Sequence, residues 1–150
     1  MDKVHYIDLG GSQASDIVKR KLYAQGGKAT IPLLDGKPCE IVMCSDGTSF
    51  TSDKLNDYRM RYDYTVFDVI TDLLVKAPNG RAPKGCGHGK DDKVGYGKCT
   101  GDTVVGAVAI HYFGKCSGDS TYDPVFVLAA VLDWAGIAKN QRGYLQLIDR

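Results

Sequence analysis

Residues 80–100 hold the densest set of side chains that could do chemistry. Arg81, Lys84, Lys90, Lys93 and Lys98 stand there among glycines, with Tyr96 between them. Five cations against Asp91 and Asp92 leave the stretch at net +3, while the whole chain is only +1. Positive donors on a glycine-rich backbone that permits close approach suit the oxygens of a phosphate backbone. A tyrosine in such a loop can stack on a base. The competing reading is a solvated loop kept soluble by its charges. Near the C-terminus, Lys139, Asn140, Gln141 and Arg142 are again residue types that touch phosphates or a minor groove. The candidate nucleic-acid-binding set is therefore Arg81, Lys84, Lys90, Lys93, Tyr96, Lys98, Lys139 and Arg142. Lys19-Arg20-Lys21, Arg59 and Arg61 read as wet faces.

Other chemistries are less well supplied. Cys86, His88, Cys99, His111 and Cys116 are zinc-ligand types, but no Cys-x-x-Cys pair exists and the gaps are irregular. No metal and no cofactor is expected. His111 falls late in a helical stretch and reads as structural. Cys39 and Cys44 read as small buried side chains. Gly95-Tyr96-Gly97-Lys98-Cys99-Thr100 imitates the end of a phosphate-binding P-loop, but Asp92 replaces its first glycine and Cys99 its hydroxyl residue. Glu40 is the sole glutamate, and Val42 stands where a nuclease core would carry lysine. Cys86 beside His88 leaves a small cysteine-dependent enzyme as a third reading, although no orienting third group is evident. No catalytic set is assigned.

These side chains need elements to hold them. Residues 4–9 suggest a short strand, and Ser12 can cap a helix over residues 13–24. Gly26-Gly27 stops that helix. A hairpin follows, with arms 29–34 and 38–44 around Asp35-Gly36, and Pro32 and Pro38 place it at a sheet edge. Asp46-Gly47 turns the chain into a third strand over 48–51, and residues 52–62 form a short helix or loop. The spacing of Val66, Phe67, Val69, Ile70, Leu73 and Leu74 predicts a helix over 64–76. Ten of the 18 glycines lie between Gly80 and Gly118, so residues 77–101 should have little regular structure. A helix over 103–113 with Asp102 as N-cap follows, with Gly106 inside it. Residues 123–138 form an almost wholly apolar helix. Residues 139–143 make a polar turn and 144–148 a strand.

Three helices, a basic turn and a closing strand is the order in which a winged helix ends. The run Ala135-Gly136-Ile137 followed by Arg142-Gly143-Tyr144 resembles the C-terminal part of the winged-helix domains at the N-terminus of Mrr-type restriction proteins. That resemblance implies a third helix that reads DNA. Here residues 123–138 contain two aspartates and no basic residue, so this helix is expected to be structural.

Composition sets the outer bounds. At 150 residues, 43% apolar and 25% charged, the chain fits a soluble protein of one compact domain. An odd cysteine count of five, no signal-type segment at residues 1–6 and no long apolar run point to a reduced, cytoplasmic protein without a membrane span. The expected fold class is α+β. An N-terminal strand–helix–hairpin unit over 1–62 precedes a winged-helix-like unit over 63–150. The expected function is non-enzymatic nucleic-acid binding, chiefly to duplex DNA through its backbone. The rival is a protein–protein interaction module on the same scaffold, for which an apolar patch around Tyr58, Tyr62 and Tyr64 would be the mark.

Overall fold

The computed structural model describes residues 13–55 and 60–148. The expected strand over 4–9, the Ser12 cap, Tyr58 and Arg59 fall outside these residues. The described chain is α+β, with four helices and two antiparallel sheets.

The N-terminal part begins with α1, Ala14–Ala24, which buries Ala14, Val18 and Leu22 at helical spacing. Its N-cap residue, Gln13, makes no side-chain cap. Asp68 of the next helix caps it instead, accepting the Ser15 N–H at 2.9 Å. Gly26 and Gly27, both at φ +84°, close α1 and turn the chain into β1, Lys28–Pro32. β1 pairs with β2, Pro38–Met43, and the register ends at Pro32 opposite Pro38. The Gly36 N–H donates to Leu33 O, so Leu34 and Asp35 form the tip and Gly36 takes the positive φ. β3, Ser49–Ser52, and the two-residue β4, Tyr62–Asp63, complete a four-stranded meander. Asp46 sets the turn before β3 by accepting the Thr48 and Ser49 N–H groups and the Ser49 hydroxyl.

α2, Val66–Lys76, starts two residues later than its apolar pattern suggests, because Thr65 serves as N-cap. It buries Val66, Phe67, Ile70, Thr71 and Leu74. Phe67 stacks on Phe50 of β3 with ring centroids 5.3 Å apart, and Tyr62 stacks on Tyr112 at 5.7 Å. Such pairs contribute about 1 kcal/mol each beyond the area they bury. Tyr62 and Tyr64 are thus core residues, 1% and 3% exposed, and form no surface patch.

A 3₁₀ turn, Pro78–Gly80, leads into β5, Arg81–Pro83, a strand inside the segment expected to be irregular. Ala82 is its only core residue, so no apolar alternation announces it. Its pairing comes from a strand 60 residues away. α3, Val104–His111, is capped by Thr103 rather than Asp102, the Thr103 Oγ1 accepting the Gly106 N–H at 3.0 Å. Asp102 instead accepts the Thr100 hydroxyl. α4, Val125–Trp134, ends four residues before its expected limit because Gly136, at φ +77°, reverses the chain. The residues read as a polar turn are mostly strand: β6 is Ala138–Gln141, and only Arg142 and Gly143 connect it to β7, Tyr144–Leu147. β7 lies between β5 and β6. One apolar cluster joins both parts of the chain, from Val18 and Ile31 to Leu128 and Leu145.

Gly106 is required by packing. A Cβ built there would lie 1.9 Å from Thr100 O. Gly106→Ala should destabilise the protein by about 1–3 kcal/mol in urea unfolding, as overpacking does. Tyr64 gives the opposite expectation. Its buried hydroxyl has no hydrogen-bond partner among the described residues. Burial, with Cys44 and Asp46 adding to it, pushes its phenol up to about 12. The folded state therefore holds the proton longer than the unfolded chain, and this contribution is full below about pH 10 and lost as pH rises through 12. Tyr64→Phe should be neutral or stabilising by about 1 kcal/mol at neutral pH, and it should flatten the loss of stability between pH 10 and 12. A loss of more than about 1 kcal/mol at neutral pH would contradict the unpartnered hydroxyl.

Candidate nucleic-acid interface and the adjoining cleft

The three-stranded sheet sorts the candidate residues by face. Arg81 of β5 and Lys139 of β6 both stand opposite Gln146 of the central strand β7. Directly opposed residues project to one face, so the row reads Arg81–Gln146–Lys139. The next outward row is Pro83–Tyr144–Gln141. The inner row is Ala82–Leu145–Asn140, with Ala82 and Leu145 at 1% and 0% exposure. Neither the strands nor the Arg142-Gly143 turn contains an acidic residue. Arg81 is held in place: its guanidinium lies 4.4 Å from the Tyr144 ring centroid, and its Nε donates to Gln146 Oε1 at 3.0 Å. Gln146 Nε2 donates in turn to Asn79 O at 2.7 Å. Lys139 and Arg142 are exposed. A guanidinium supported on an aromatic ring loses little side-chain freedom when it meets an anion.

The remaining candidates do not join that row. Lys84 follows β5 on the inner face, and its ammonium donates to Asn140 Oδ1. Lys93 donates to Ser120 Oγ at 3.0 Å, toward the loop after α3. The loop itself is tied down. Val94 and Cys99 are buried, Asp92 accepts the Lys98 N–H at 2.8 Å, and Cys86 N–H donates to Lys98 O at 2.9 Å. Lys90 and Lys98 are exposed, as is Tyr96 at 58%. Arg81, Lys139 and Arg142 share the sheet and its turn, while Lys84 and Lys93 are engaged with Asn140 and Ser120. Pairing register was the missing signal, and it depends on a strand the composition hides. Of the α1 cations, Lys21 donates to Trp134 O at 2.6 Å and lies over the Trp134 ring at 4.8 Å, so it ties α1 to α4.

A second feature was not foreseen. The tip of the β1–β2 hairpin faces α4 across a cleft of about 320 Å3 lined by Leu34, Lys84, Asp123, Val125, Phe126 and Asn140, with Cys86 and His88 at its side. Leu34 and Phe126 are 49% and 47% exposed. The cleft continues past Leu34 and Asn140 into a depression of about 400 Å3 against Ala130 and Trp134. Phe126, Ala130 and Trp134 recur every fourth residue, so they form one stripe of α4.

Asp123 is the orienting group that the sequence did not reveal. Its Oδ2 lies 3.5 Å from His88 Nε2 and accepts the Gly87 N–H at 3.0 Å. The Cys86 thiol meets the backbone N–H of His88 at 3.4 Å. The engaged imidazole nitrogen thus faces the carboxylate, not the thiol. Among the described residues no group of three His, Cys, Asp or Glu side chains is placed to hold a metal ion. His111 is exposed beside α2. All five cysteines are free. No helix among the described residues is long and apolar enough to cross a membrane. Comparison with protein-family models, curated proteins and solved structures finds no match to this chain.

Burial separates the thiols. It raises the Cys39 and Cys99 pKa, with a hydrogen bond between Cys39 and Ser52 at 3.1 Å opposing the shift at Cys39. Cys116 is exposed. Because thiolate is the reacting form, an aromatic disulfide reagent at pH 8 should modify Cys116 first and leave Cys39 and Cys99 intact until the protein is unfolded. Equal rates at all five thiols would contradict this burial pattern.

Proposed function

We propose that residues 66–147 form a winged-helix-like module that holds the phosphate backbone of nucleic acid, with duplex DNA the favoured form, and that performs no chemistry on it. The element order, helix, strand, helix, helix, strand, strand, and the sheet order β5–β7–β6 support the winged-helix reading. The observation that carries the binding reading is the outward row Arg81–Gln146–Lys139 beside Arg142, with no acidic residue in its strands or turn and a ring-supported guanidinium. Phosphate contacts fix a protein on a duplex without reading its sequence. α4 offers no basic or amide side chain for base edges, only Phe126, Asp133 and Trp134 on its open side. Binding should accordingly be indifferent to sequence.

Titration of a random-sequence duplex over a salt series tests this. Dissociation constants should be micromolar at low salt and weaken steeply as salt rises. Replacing Arg81, Lys139 and Arg142 together by alanine should reduce the salt slope by about 2–3, at roughly 0.9 per phosphate contact. Replacing Lys90, Lys93 and Lys98 together should reduce it by less than about 1. No binding at low salt would end the reading, and a larger effect from the loop lysines would move the site.

A further inference from the structure

The proposed backbone contact leaves Lys84, Lys90, Lys93 and Lys98 unused, and of these Lys84 alone lines the cleft beside the hairpin tip. It is half-buried, and its ammonium donates to the neutral Asn140 Oδ1. No carboxylate among the described residues lies within ion-pair distance of it. A partly desolvated charge without a counter-charge is unfavourable, and an anion brought to it relieves that cost. The cleft in front of it has apolar walls, with Leu34 and Phe126 still open to solvent. Its volume, about 320 Å3, is at the small end of the range of ligand pockets.

We propose that this cleft binds a small monocarboxylate with an apolar body, its carboxylate met by Lys84 Nζ and the Asn140 amide and its body seated between Leu34, Val125 and Phe126. Two observations select this chemistry. An ammonium has three N–H donors, and Asn140 uses one of them. Among the described residues no group engages the Asn140 amide nitrogen, which leaves a second donor beside the first. Asp123 lines the same cleft, but its oxygens already accept the Gly87 and Val125 N–H groups and face His88. Its charge disfavours a dianion such as phosphate and leaves a single carboxylate as the better match. Burial also lowers the Lys84 pKa, the shift expected of an ammonium that lacks a partner. This site is independent of nucleic-acid binding, since it lies on the inner side of β5 and uses none of Arg81, Lys139 or Arg142.

The test is a titration of the full, isotopically labelled chain followed by amide NMR, with 3-phenylpropionate, its neutral amide and inorganic phosphate as probes. The acid should give saturable shifts at residues 84–88, 125–126 and 140. The neutral amide and phosphate should bind at least tenfold more weakly. Lys84→Met should weaken the acid at least tenfold and leave the amide within about twofold. N-acetylglycylphenylalanine carries the same carboxylate on a peptide. Tighter binding than the free acid would assign the site to a peptide terminus, and weaker binding to a free acid. The proposal is overturned if no saturable shifts appear in this cleft, if acid and amide bind alike, or if Lys84→Met keeps full affinity for the acid. The comparison of acid with amide needs no variant, so it decides even if Lys84→Met folds poorly.

Discussion

The structure depends on the burial of α4. Val125, Val127, Leu128, Ala129, Ala130, Val131 and Leu132 are all buried, and they cover nearly the whole circumference of a ten-residue helix. A helix apolar on every side needs neighbours on every side. β6 of the three-stranded sheet occupies part of that surround, and β1 of the N-terminal meander takes another part. The two halves of the chain share one core for this reason. Lys21 strengthens the seam by reaching from α1 to the Trp134 carbonyl at the end of α4, where a cation also complements the helix dipole.

That burial has a chemical consequence. A helix committed to the core on most of its surface has little left to read a groove with. What remains open on α4 is Phe126, Asp133 and part of Trp134, and the hairpin tip at Leu34 leans toward them. Positive charge is displaced to the sheet, where pairing of β5 and β6 to β7 sets Arg81 and Lys139 on either side of Gln146. The inner face of the same strands carries Lys84 into the cleft. One short sheet therefore presents cations in two environments: outward and hydrated, or inward and half-desolvated. The first suits a polyanion whose counterions are released. The second suits a single charge on an apolar molecule.

Much of this was legible before the structure. The helical period of residues 66–76, the Asp35-Gly36 hairpin, the Gly26-Gly27 stop and the apolar run of α4 are local signals, and each element lies where its pattern puts it to within a few residues. Less legible was whatever depends on a distant partner. β5 has one buried residue, so its identity as a strand comes from β7. Residues 139–141 read as part of a polar turn because their outward side chains are Lys139 and Gln141, while Asn140 faces inward. Gly106 looked like a defect in α3, yet it lets Thr100 O approach the helix. The Gly-rich loop looked like one basic surface. Its backbone bonds to Gly118 and Asp119 and its buried Val94 and Cys99 instead fix it as an ordered part of the fold. Tyr62 and Tyr64 carry hydroxyls that hint at a surface, but the aromatic cluster around Phe50 draws them into the core.

The central claim is that polyanion contact resides on the outer face of β5–β7–β6 and its turn. The most direct measurement is a map of amide shift changes in the labelled protein on addition of a short random-sequence duplex at low salt. The account predicts that the changes concentrate at residues 81, 139, 142, 144 and 146. Changes centred on residues 88–100, or on Phe126 and Trp134 of α4, would contradict it.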